Sequence, residues 1–488
     1  MDDSTSNYSV PLLTNRNENS NQVSFSRKVW EENKIIWYIA GPCILCAIFQ
    51  FSLAFITQTW VGHVGTLELA AFGLQNLVIS GLTYGIMTAL PLTLISVFGT
   101  PILLVLGQKQ EIAELAGTYS IWMIPQLYMY ALNFPMQRFL QAQSKVMPLA
   151  WISFVVLVIH VPLSWFCVMR WGLVGAAASL NFSWVLVVVL QYAYIVSGSC
   201  KDTWSGFSWK AFTELLDFLW LSLASAVMLC LEYWTVMVLL VFAGVLKNAE
   251  VKVDAAAICL NVEGWIFMVP LGYIAAVSVR VSNELGAGNA AAAKFSVWVT
   301  VSIALVTQTA FAILIFITRY DFPKLFTDDK IVMKEVSALV AYLCISILLC
   351  AVLPVLSGMA IGAGWQAVVA YVNSISYYLI GLPVGVFMGF KLDWGLEGLW
   401  IGLQIGMGLQ TIVLLIMFWR ADWDKEVQLS KDRVSEDVGL GEERKFCGLS
   451  SGGQLGAELG LFCAEKSVKR AGVVAMVPGS IRELIDSS

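Results

Sequence analysis

The chain has 488 residues, of which 58% are apolar and only 13% are charged, and its formal net charge is −5. A soluble domain carries about 25% charged residues, so this chain cannot cover an ordinary water-exposed surface. Its basic residues are scattered singly, which argues against nucleic acid as a partner. The composition predicts an all-α polytopic protein whose main partner is the lipid bilayer.

Apolar runs of about 20 residues, the length that crosses a bilayer as one helix, recur along the chain. One of these runs, 67–106, is about twice that length and contains no charge between Glu68 and the end of the run. We therefore predict eleven or twelve spans. The apolar runs lie at 35–60, 67–106, 118–140, 147–168, 172–196, 215–244, 255–279, 292–318, 335–358, 367–390 and 395–418.

The two ends of the chain differ from the rest in composition. Residues 1–30 are polar and have no positively charged stretch followed by an apolar one, so we expect a disordered amino terminus in the cytosol. Residues 427–488 are rich in Gly, Ser and charge, which predicts a second disordered tail. Between the tails we expect two helical bundles, at 31–200 and 201–426.

An internal repeat relates these two bundles. The sequence WGLVG at 171–175 returns 223 positions later as WGLEG at 394–398, and Pro162 returns as Pro383. Parallel repeats of this kind build transporters whose two halves rock against each other around a central cavity. The repeat therefore predicts two related bundles.

The spacing of the repeat changes earlier in the chain. The segment LAAFGLQN at 69–76 best matches DAAAICLN at 254–261, only about 185 positions later. The first half thus lacks roughly 35 residues, and the loss falls inside 80–95. The shortened run makes either two short spans or one long kinked helix. We favour two short spans.

The segment RVSNELGAGN at 280–289 stands where one apolar run ends and the next begins. Its glycines permit a tight turn, and its charges are expected on the water side of the bilayer. With VPLG at 269–272 and AVS at 276–278, it resembles the signature of the multidrug and toxic compound extrusion (MATE) transporters, in their plant detoxification branch. The residues that carry this hinge motif are Arg280, Asn283, Glu284, Gly286 and Gly288.

The resemblance implies two six-helix bundles around a V-shaped cavity, and it implies a function. Members of this family are proton-coupled antiporters that move organic solutes such as flavonoid conjugates, alkaloids or xenobiotics out of the cytosol. It implies the vacuolar membrane first and the plasma membrane second, a monomer, and no cofactor. This chain departs from the family pattern because the first half lacks the acidic hinge that corresponds to 280–289.

Two acids lie inside apolar runs, where an ionisable group is a functional candidate by default. Glu232 is near the middle of 215–244, and Glu263 follows Asp254 by nine residues, about 13 Å along a helix. The resemblance aligns Glu232 with the helix 7 acid that members use for coupling. Some members have an acid where this chain has Asn261, two positions from Glu263, which is about 200° round a helix. We predict proton coupling by Glu232 and Glu263.

Polar and aromatic side chains in the apolar runs are candidates for the walls of the substrate cavity. Each of them alone has helix packing as its simpler role. The segment GAGWQA at 362–367 resembles the helix 10–11 hinge of vacuolar members associated with flavonoid conjugates. The candidates are Gln58, Asn76, Gln126, Tyr128, Asn133, Asn261, Trp265, Tyr371, Asn373, Tyr377 and Gln404.

Other functions remain as alternatives. A tonoplast anion channel or transporter fits the fold but calls for cationic groups in the cavity, and only Arg138 and Arg280 lie near helix ends. An inactive isoform would follow from the missing block. A membrane-embedded enzyme or metal site needs paired acids, a Ser-His pair or a metal triad within the spans, and we see none in the sequence. We assign His63 and His160 to packing and loop positioning.

Overall fold

The structure, a computed structural model, describes residues 24–75, 93, 96–105, 110–200, 242, 249–327 and 329–431. Within these ranges the chain is helical and contains no β-strand. A helix pairs its backbone groups internally, which is what the bilayer interior requires. Seven helical segments of the described residues are long and apolar enough to cross a membrane. These features confirm the predicted all-α polytopic class.

Twelve α-helices of the described residues are numbered in chain order, and a short helix at 423–431 follows them. The first half contains α1 Phe25–Gly62, α2 Thr66–Leu74, α3 Gly99–Val105, α4 Gln110–Trp122, α5 Ile124–Ala142 and α6 Met147–Tyr194, extended by a π turn at Ile195–Ser199. The second half contains α7 Ala249–Gly286, α8 Ala290–Ile317, α9 Lys330–Ala363, α10 Gln366–Asn373, α11 Leu382–Val386 and α12 Gly395–Arg420. The π turns Ser374–Gly381 and Phe387–Lys391 make α10 and α11 parts of one span, Val368–Lys391.

The long helix α6 is a hairpin of two spans. Its 48 residues would measure about 72 Å in line, more than twice the thickness of the hydrocarbon layer. The chain reverses at Gly172, which has a positive φ of 57°. A Cβ added to Gly175 would lie 1.9 Å from the carbonyl oxygen of Cys167, so the second span runs back against the first. This agrees with the two spans predicted at 147–168 and 172–196.

The same turn occurs in the second half. Gly395 also has a positive φ, 62°. A Cβ added to Gly398 would lie 2.6 Å from the backbone nitrogen of Gly389, at the end of the preceding span. In both copies the first glycine of the motif makes the turn and the second lets the two spans touch. The structure therefore confirms that the WGLVG and WGLEG segments are equivalent.

Beyond this turn, α11 and α12 are held together by backbone contact. A Cβ added to Gly402 would lie 2.2 Å from the Cα atom of Gly385 and 2.7 Å from the carbonyl oxygen of Gly381. Lipid is as apolar as a leucine side chain, so helices in a bilayer associate through close van der Waals packing of small residues. Gly402 is therefore a contact position whose side chain has no room to grow.

We expect Gly402→Ala to lower the free energy of unfolding by about 1–3 kcal/mol, the usual range for an overpacked contact. Gly408→Ala is the matched control, because a Cβ on Gly408 would meet nothing within 4 Å. Alanine forms helix more readily than glycine, so the control variant is expected to be as stable as the parent chain or more stable. Chemical denaturation in mixed micelles measures both variants. Equal stability of the two would contradict the contact.

The structure corrects three predicted boundaries. The span predicted at 118–140 is broken at Met123, between α4 and α5, because Pro125 lacks the N–H that would continue α4. Helix α1 begins at Phe25, inside the segment predicted to be disordered. The helix at 423–431 runs past the tail boundary predicted at 427, because Trp423 and Val427 bury their side chains. Apart from residue 93, the interval 80–95 that holds the predicted deletion lies outside the described residues.

Helix α1 passes from one bundle to the other as it crosses the membrane. In its amino-terminal part, Ile36, Ile39 and Ala40 are buried in the core of the second half. In its carboxy-terminal part, Leu53 and Val61 are buried in the core of the first half. The two bundles are therefore joined along α1 on the side where α1 begins, here called the amino-terminal side, which the sequence analysis predicts to be cytosolic.

Candidate functional site

The candidate site lies where α1 meets α7, because these helices belong to different halves of the chain. Near the amino-terminal side, the rings of Trp37 and Tyr273 meet edge to face, with 5.9 Å between their centroids. Deeper in the membrane, a Cβ added to Gly272 would lie 2.9 Å from the carbonyl oxygen of Ala40, so the two backbones approach closely. The interface is closed over this depth.

An aromatic cluster marks the middle of the interface. The ring of Trp265 on α7 lies between Phe51 and Phe55 on α1, at centroid distances of 5.0 and 5.2 Å and interplanar angles of 83° and 85°. This edge-to-face arrangement is a favourable one for aromatic rings. Asn261, one turn before Trp265 on α7, is exposed, and its amide donates a hydrogen bond to the carbonyl of Ala257. Phe51 and Trp265 are half-buried and Phe55 is exposed, and these three rings are here called the aromatic floor.

Glu263 stands two residues from this floor. It is half-buried and shares a helix face with Cys259 and Ile266, which belong to the core of the second half. Its Oε2 atom is buried and has no hydrogen-bond partner among the described residues. Within those residues it also forms no ion pair. Glu263 is thus an acid inside the second bundle without a compensating charge in the described chain, and Glu232 lies outside the described residues.

Several predicted cavity residues are buried inside a bundle instead. Asn133 accepts a hydrogen bond of 2.9 Å from Gln191 within the first bundle. Gln404 donates one of 3.3 Å to Ser346 within the second. Tyr377 is 6% exposed and packs in an apolar groove between the Val368–Lys391 span and α12. These side chains hold helices together, as buried polar groups in membranes commonly do.

The remaining predicted cavity residues do not form one surface. Gln126 is buried and bonds Tyr130 on its own helix. Tyr128 is 39% exposed and its hydroxyl lies 3.1 Å from that of Thr93. Tyr371 is 64% exposed near the start of the Val368–Lys391 span. Gln58 is half-buried, Asn373 is fully buried, and Asn76 lies outside the described residues.

The structure shows one polar layer that the sequence analysis missed. Gln50 on α1 donates a hydrogen bond of 3.3 Å to Ser153 on α6 and accepts one of 3.3 Å from Gln137 on α5. The thiol of Cys46 lies 3.3 Å from the same serine hydroxyl. Two glutamines within apolar runs were the available signal. Their half-buried amides join three helices of the first bundle near the level of the aromatic floor.

The histidine assigned to packing has that role. His160 is fully buried, and its Nδ1 atom lies 2.7 Å from the hydroxyl of Ser183. Its Nε2 atom lies 2.9 Å from the hydroxyl of Thr57 and 3.0 Å from the carbonyl oxygen of Leu53. Both ring nitrogens are therefore engaged, and the ring joins α1 to the two spans of α6.

The hinge motif contains an ion pair between the two halves of the chain. Arg280 donates from Nε to Glu32 Oε1 at 2.7 Å and from Nη2 to Glu32 Oε2 at 3.1 Å. Its Nη1 atom also pairs with Glu284, four residues on. Arg280 and Glu32 are only 4% and 3% exposed. Arg280 stays a predicted marker of the water side of the bilayer, and within the chain its side chain is covered by Glu32 on α1.

The turn of the hinge motif depends on one of its two glycines. Gly288 has a positive φ of 80°, whereas Gly286 ends α7 with open space around it and no such φ. The backbone N–H of Asn289 donates to the carbonyl of Glu284, and the side chain of Asn289 accepts from Ala292 to begin α8. Asn283 contributes its carbonyl oxygen to the N–H of Ala287. Only Gly288 needs the conformational freedom predicted for both glycines.

Known proteins resemble the chain over most of its length. The family model MatE matches residues 73–166 and 224–387. Protein DETOXIFICATION 29 of Arabidopsis thaliana is 45% identical over 450 residues, which cover 84% of this chain and 90% of the relative. Protein DETOXIFICATION 33 of the same plant is 45% identical over 459 residues, covering 85% and 95%. The crystal structure of the eukaryotic MATE transporter AtDTX14 matches with a TM-score of 0.78 at 30% identity, covering 83% of this chain and 99% of that one.

The alignment with protein DETOXIFICATION 29 has more positions than the number of residues of this chain that it covers. It runs over 450 positions, whereas 84% of 488 residues is about 410. The relative therefore has about 40 residues for which this chain has no counterpart, since 450 exceeds 410 by that number. This difference has the size of the block that the repeat spacing predicts to be missing.

Proposed function

The chain belongs to the MATE transporter family, and from that premise we propose that it is a proton-coupled antiporter that exports organic solutes from the cytosol. The exported solutes would cross the vacuolar membrane or the plasma membrane. As a member of this family it is a multi-pass membrane transporter and not an enzyme. Its coupling ion, substrate class and membrane are the proposed part.

The observation that carries the proposal is the carboxyl group of Glu263. An acid near the bilayer midplane is expensive to keep charged, and Glu263 has no cation to pair with among the described residues. Binding a proton removes that charge and its cost. A group whose charge is costly in one conformation and hydrated in another links proton movement to conformational change. Glu232, in the preceding predicted span, is proposed as a second acid of this kind.

Proton binding at Glu263 would be coupled to solute binding through helix α7. Glu263 faces the core of the second bundle, and Trp265 on the same helix turn contacts Phe51 and Phe55 of α1. A change in how α7 packs when Glu263 gains or loses its charge therefore moves a ring of the aromatic floor. We propose that proton binding at Glu263 favours solute release and proton loss favours solute loading.

The aromatic floor supports amphiphilic solutes with ring systems as substrates. Its three aromatic side chains are half-buried (Phe51 and Trp265) or exposed (Phe55), so they offer ring faces and edges to a planar solute. Ligand pockets combine such apolar area with a few polar groups that orient the ligand. The proposed substrate class is therefore the aromatic organic solutes that the family resemblance implies, flavonoid conjugates among them.

We expect Trp265→Ala to lower the uptake of an aromatic solute about two- to tenfold, because an aromatic contact is worth about 0.5–1.5 kcal/mol and tenfold corresponds to about 1.4 kcal/mol. Trp265→Phe should retain most of the uptake, since it keeps a ring at the floor. Trp151→Ala is the control, because Trp151 is 64% exposed on α6 and packs edge to face with Phe154 of its own helix. Uptake by Trp265→Ala equal to that of the control would reject the floor as a solute contact.

The deciding experiment is uptake of a fluorescent solute or a flavonoid glucoside into vesicles that contain the purified full chain. An imposed proton gradient should drive uptake, and an ionophore that collapses the gradient should stop it. Anion currents without proton dependence would replace the proposal by the anion-channel alternative. Absence of any transport by correctly inserted chain would identify an inactive isoform that lacks an essential block of the first half.

A further inference from the structure

The ion pair between Glu32 and Arg280 connects the two halves of the chain at one side of the membrane. The residues are 248 positions apart, one near the amino terminus of α1 and the other near the carboxy terminus of α7. Their two hydrogen bonds have the bidentate geometry that makes Arg–carboxylate pairs specific in direction as well as strong. Both side chains are almost completely buried. The pair therefore exists only while the two helices touch here.

Glu284 makes the arrangement asymmetric. It lies on the same helix as Arg280, one turn away, and pairs with the guanidinium nitrogen that Glu32 does not use. Because Glu284 moves with Arg280, separation of α1 from α7 leaves the arginine with a carboxylate partner. Glu32 alone is released, and it then reaches water. Breaking the contact thus avoids the isolated buried cation that makes ruptured buried ion pairs so costly.

The pair also stands at the mouth of the closed interface. Between it and the aromatic floor lie the Trp37–Tyr273 contact and the backbone approach of Gly272 to Ala40. These inner contacts contain no ion pair and do not by themselves fix the alignment of α1 along α7. The bidentate pair is the charged contact that sets the register of α1 against α7. A solute moving between the aromatic floor and the amino-terminal side along this face has to pass it.

We propose that Glu32 and Arg280 form a latch that keeps the amino-terminal side of the transport path closed while the path is open on the other side, with Glu284 holding Arg280 when the latch opens. This inference rests on the proposed transport function. Its test measures the opening of the α1–α7 interface directly and needs no transported solute. Failure of the latch proposal can therefore be distinguished from failure of the proposed transport function.

Cys43 provides an internal reporter of that opening. It is 7% exposed and belongs to the α1 residues that are buried in the core of the second half. It lies between Ala40 and Ile44, both of which approach Gly272. Cys43 also lies beside Arg138 and Gln141 on α5, so a membrane-impermeant maleimide on the amino-terminal side can reach it when α1 separates there from the helices that cover it. Mass spectrometry of the labelled peptide distinguishes Cys43 from the other cysteines.

The experiment compares the rate of Cys43 labelling in the full chain and its variants in sealed vesicles of known orientation. Glu32→Gln is expected to raise the rate about tenfold, because the closed state loses its charged contact while Arg280 retains Glu284. The double variant Glu32→Arg/Arg280→Glu restores opposite charges across the interface and should return the rate toward that of the parent chain. Glu31→Gln, which removes an exposed pair with Lys34, should leave the rate unchanged.

If Glu32 and Arg280 only packed against each other, the double variant would not restore the labelling rate of the parent chain. Rescue by exchanged charges is not expected of a packing contact, because the exchanged side chains differ in length and shape. If Glu32→Gln yields too little folded protein, Glu32→Asp serves in its place and should raise the rate by a smaller factor. Unchanged labelling of Cys43 in the correctly inserted single variant, or labelling of the double variant as fast as that of the single variant, would overturn the latch.

Discussion

Glu263→Gln is expected to reduce proton-driven solute uptake to the level of empty vesicles while leaving the chain folded. Glutamine has the shape of a protonated glutamate but can neither release nor bind a proton at this position. No ion pair is broken in the described residues, where the carboxyl group has none, so the substitution removes a buried charge at no electrostatic cost. The measurement is initial uptake at a fixed gradient, normalised to inserted protein.

A second assay separates coupling from transport in the same variant. Exchange of labelled for unlabelled solute across the membrane needs no net proton movement, so Glu263→Gln should retain it. Glu397→Gln is the control, because Glu397 is a half-buried carboxyl in the first turn of α12, away from the middle of the membrane. Gradient-driven uptake by Glu263→Gln at the level of this control would reject Glu263 as a coupling residue.

Glu232→Gln is expected to give the same loss of gradient-driven uptake. Comparing this variant with Glu263→Gln shows which of the two acids is required for proton coupling. If both variants lose coupling and retain exchange, the two carboxyl groups act in one proton pathway. Loss in Glu232→Gln alone would assign coupling to Glu232 and leave Glu263 as a buried structural acid. The family resemblance favours Glu232, whereas the geometry of the described residues supports Glu263.

Arg280→Ala is expected to lower the free energy of unfolding by about 3–5 kcal/mol, the cost of leaving a buried charge without its partner. The substitution leaves the carboxylates of Glu32 and Glu284 in one buried place with no cation between them. Chemical denaturation in mixed micelles measures the change. This large effect is the reason that the latch is tested at Glu32, where Arg280 keeps a partner.

Two further variants check the electrostatic origin of this loss. Arg280→Ala combined with Glu32→Gln should recover part of the stability, because one of the two uncompensated charges is removed. Lys324→Ala breaks an ion pair with Asp321 whose side chains are 61% and 74% exposed, and it should match the parent chain. A single Arg280→Ala variant as stable as the parent would show that the buried pair contributes nothing to the fold.

Some elements could be predicted because they depend only on neighbouring residues. The turn at Gly172 and its repeat at Gly395 follow from a local backbone requirement, which a glycine in a repeated WGL segment makes visible in the sequence. The break at Pro125 has a similarly local cause but was missed, because the apolar run 118–140 continues across it. Run length decides that a segment spans the membrane, whereas proline decides where the helix within it ends.

The candidate site could be predicted only in part. Trp265 was expected at the cavity, but nothing in the sequence pointed to Phe51 and Phe55 as its neighbours. Asn133 and Gln404 were expected there too and lie inside the bundles. Each residue turns about 100° round a helix, so a polar residue in an apolar run has no assigned face until neighbouring helices are placed. In membranes the apolar face gives little guidance, because lipid and protein interior are both apolar.

The sequence by itself determined the bilayer as solvent, the helical class, most of the spans, the repeat and the family. These rest on composition, run length and short motifs, which are local properties of the chain. Only the tertiary structure decided which side chains meet: the sequence placed Arg280 near a helix end, and the packing of α1 against α7 makes Glu32, 248 positions away, its partner. The physical reason is that the rotation and register of helices are set by packing between distant segments, and a buried charge becomes tolerable only when that packing supplies its partner.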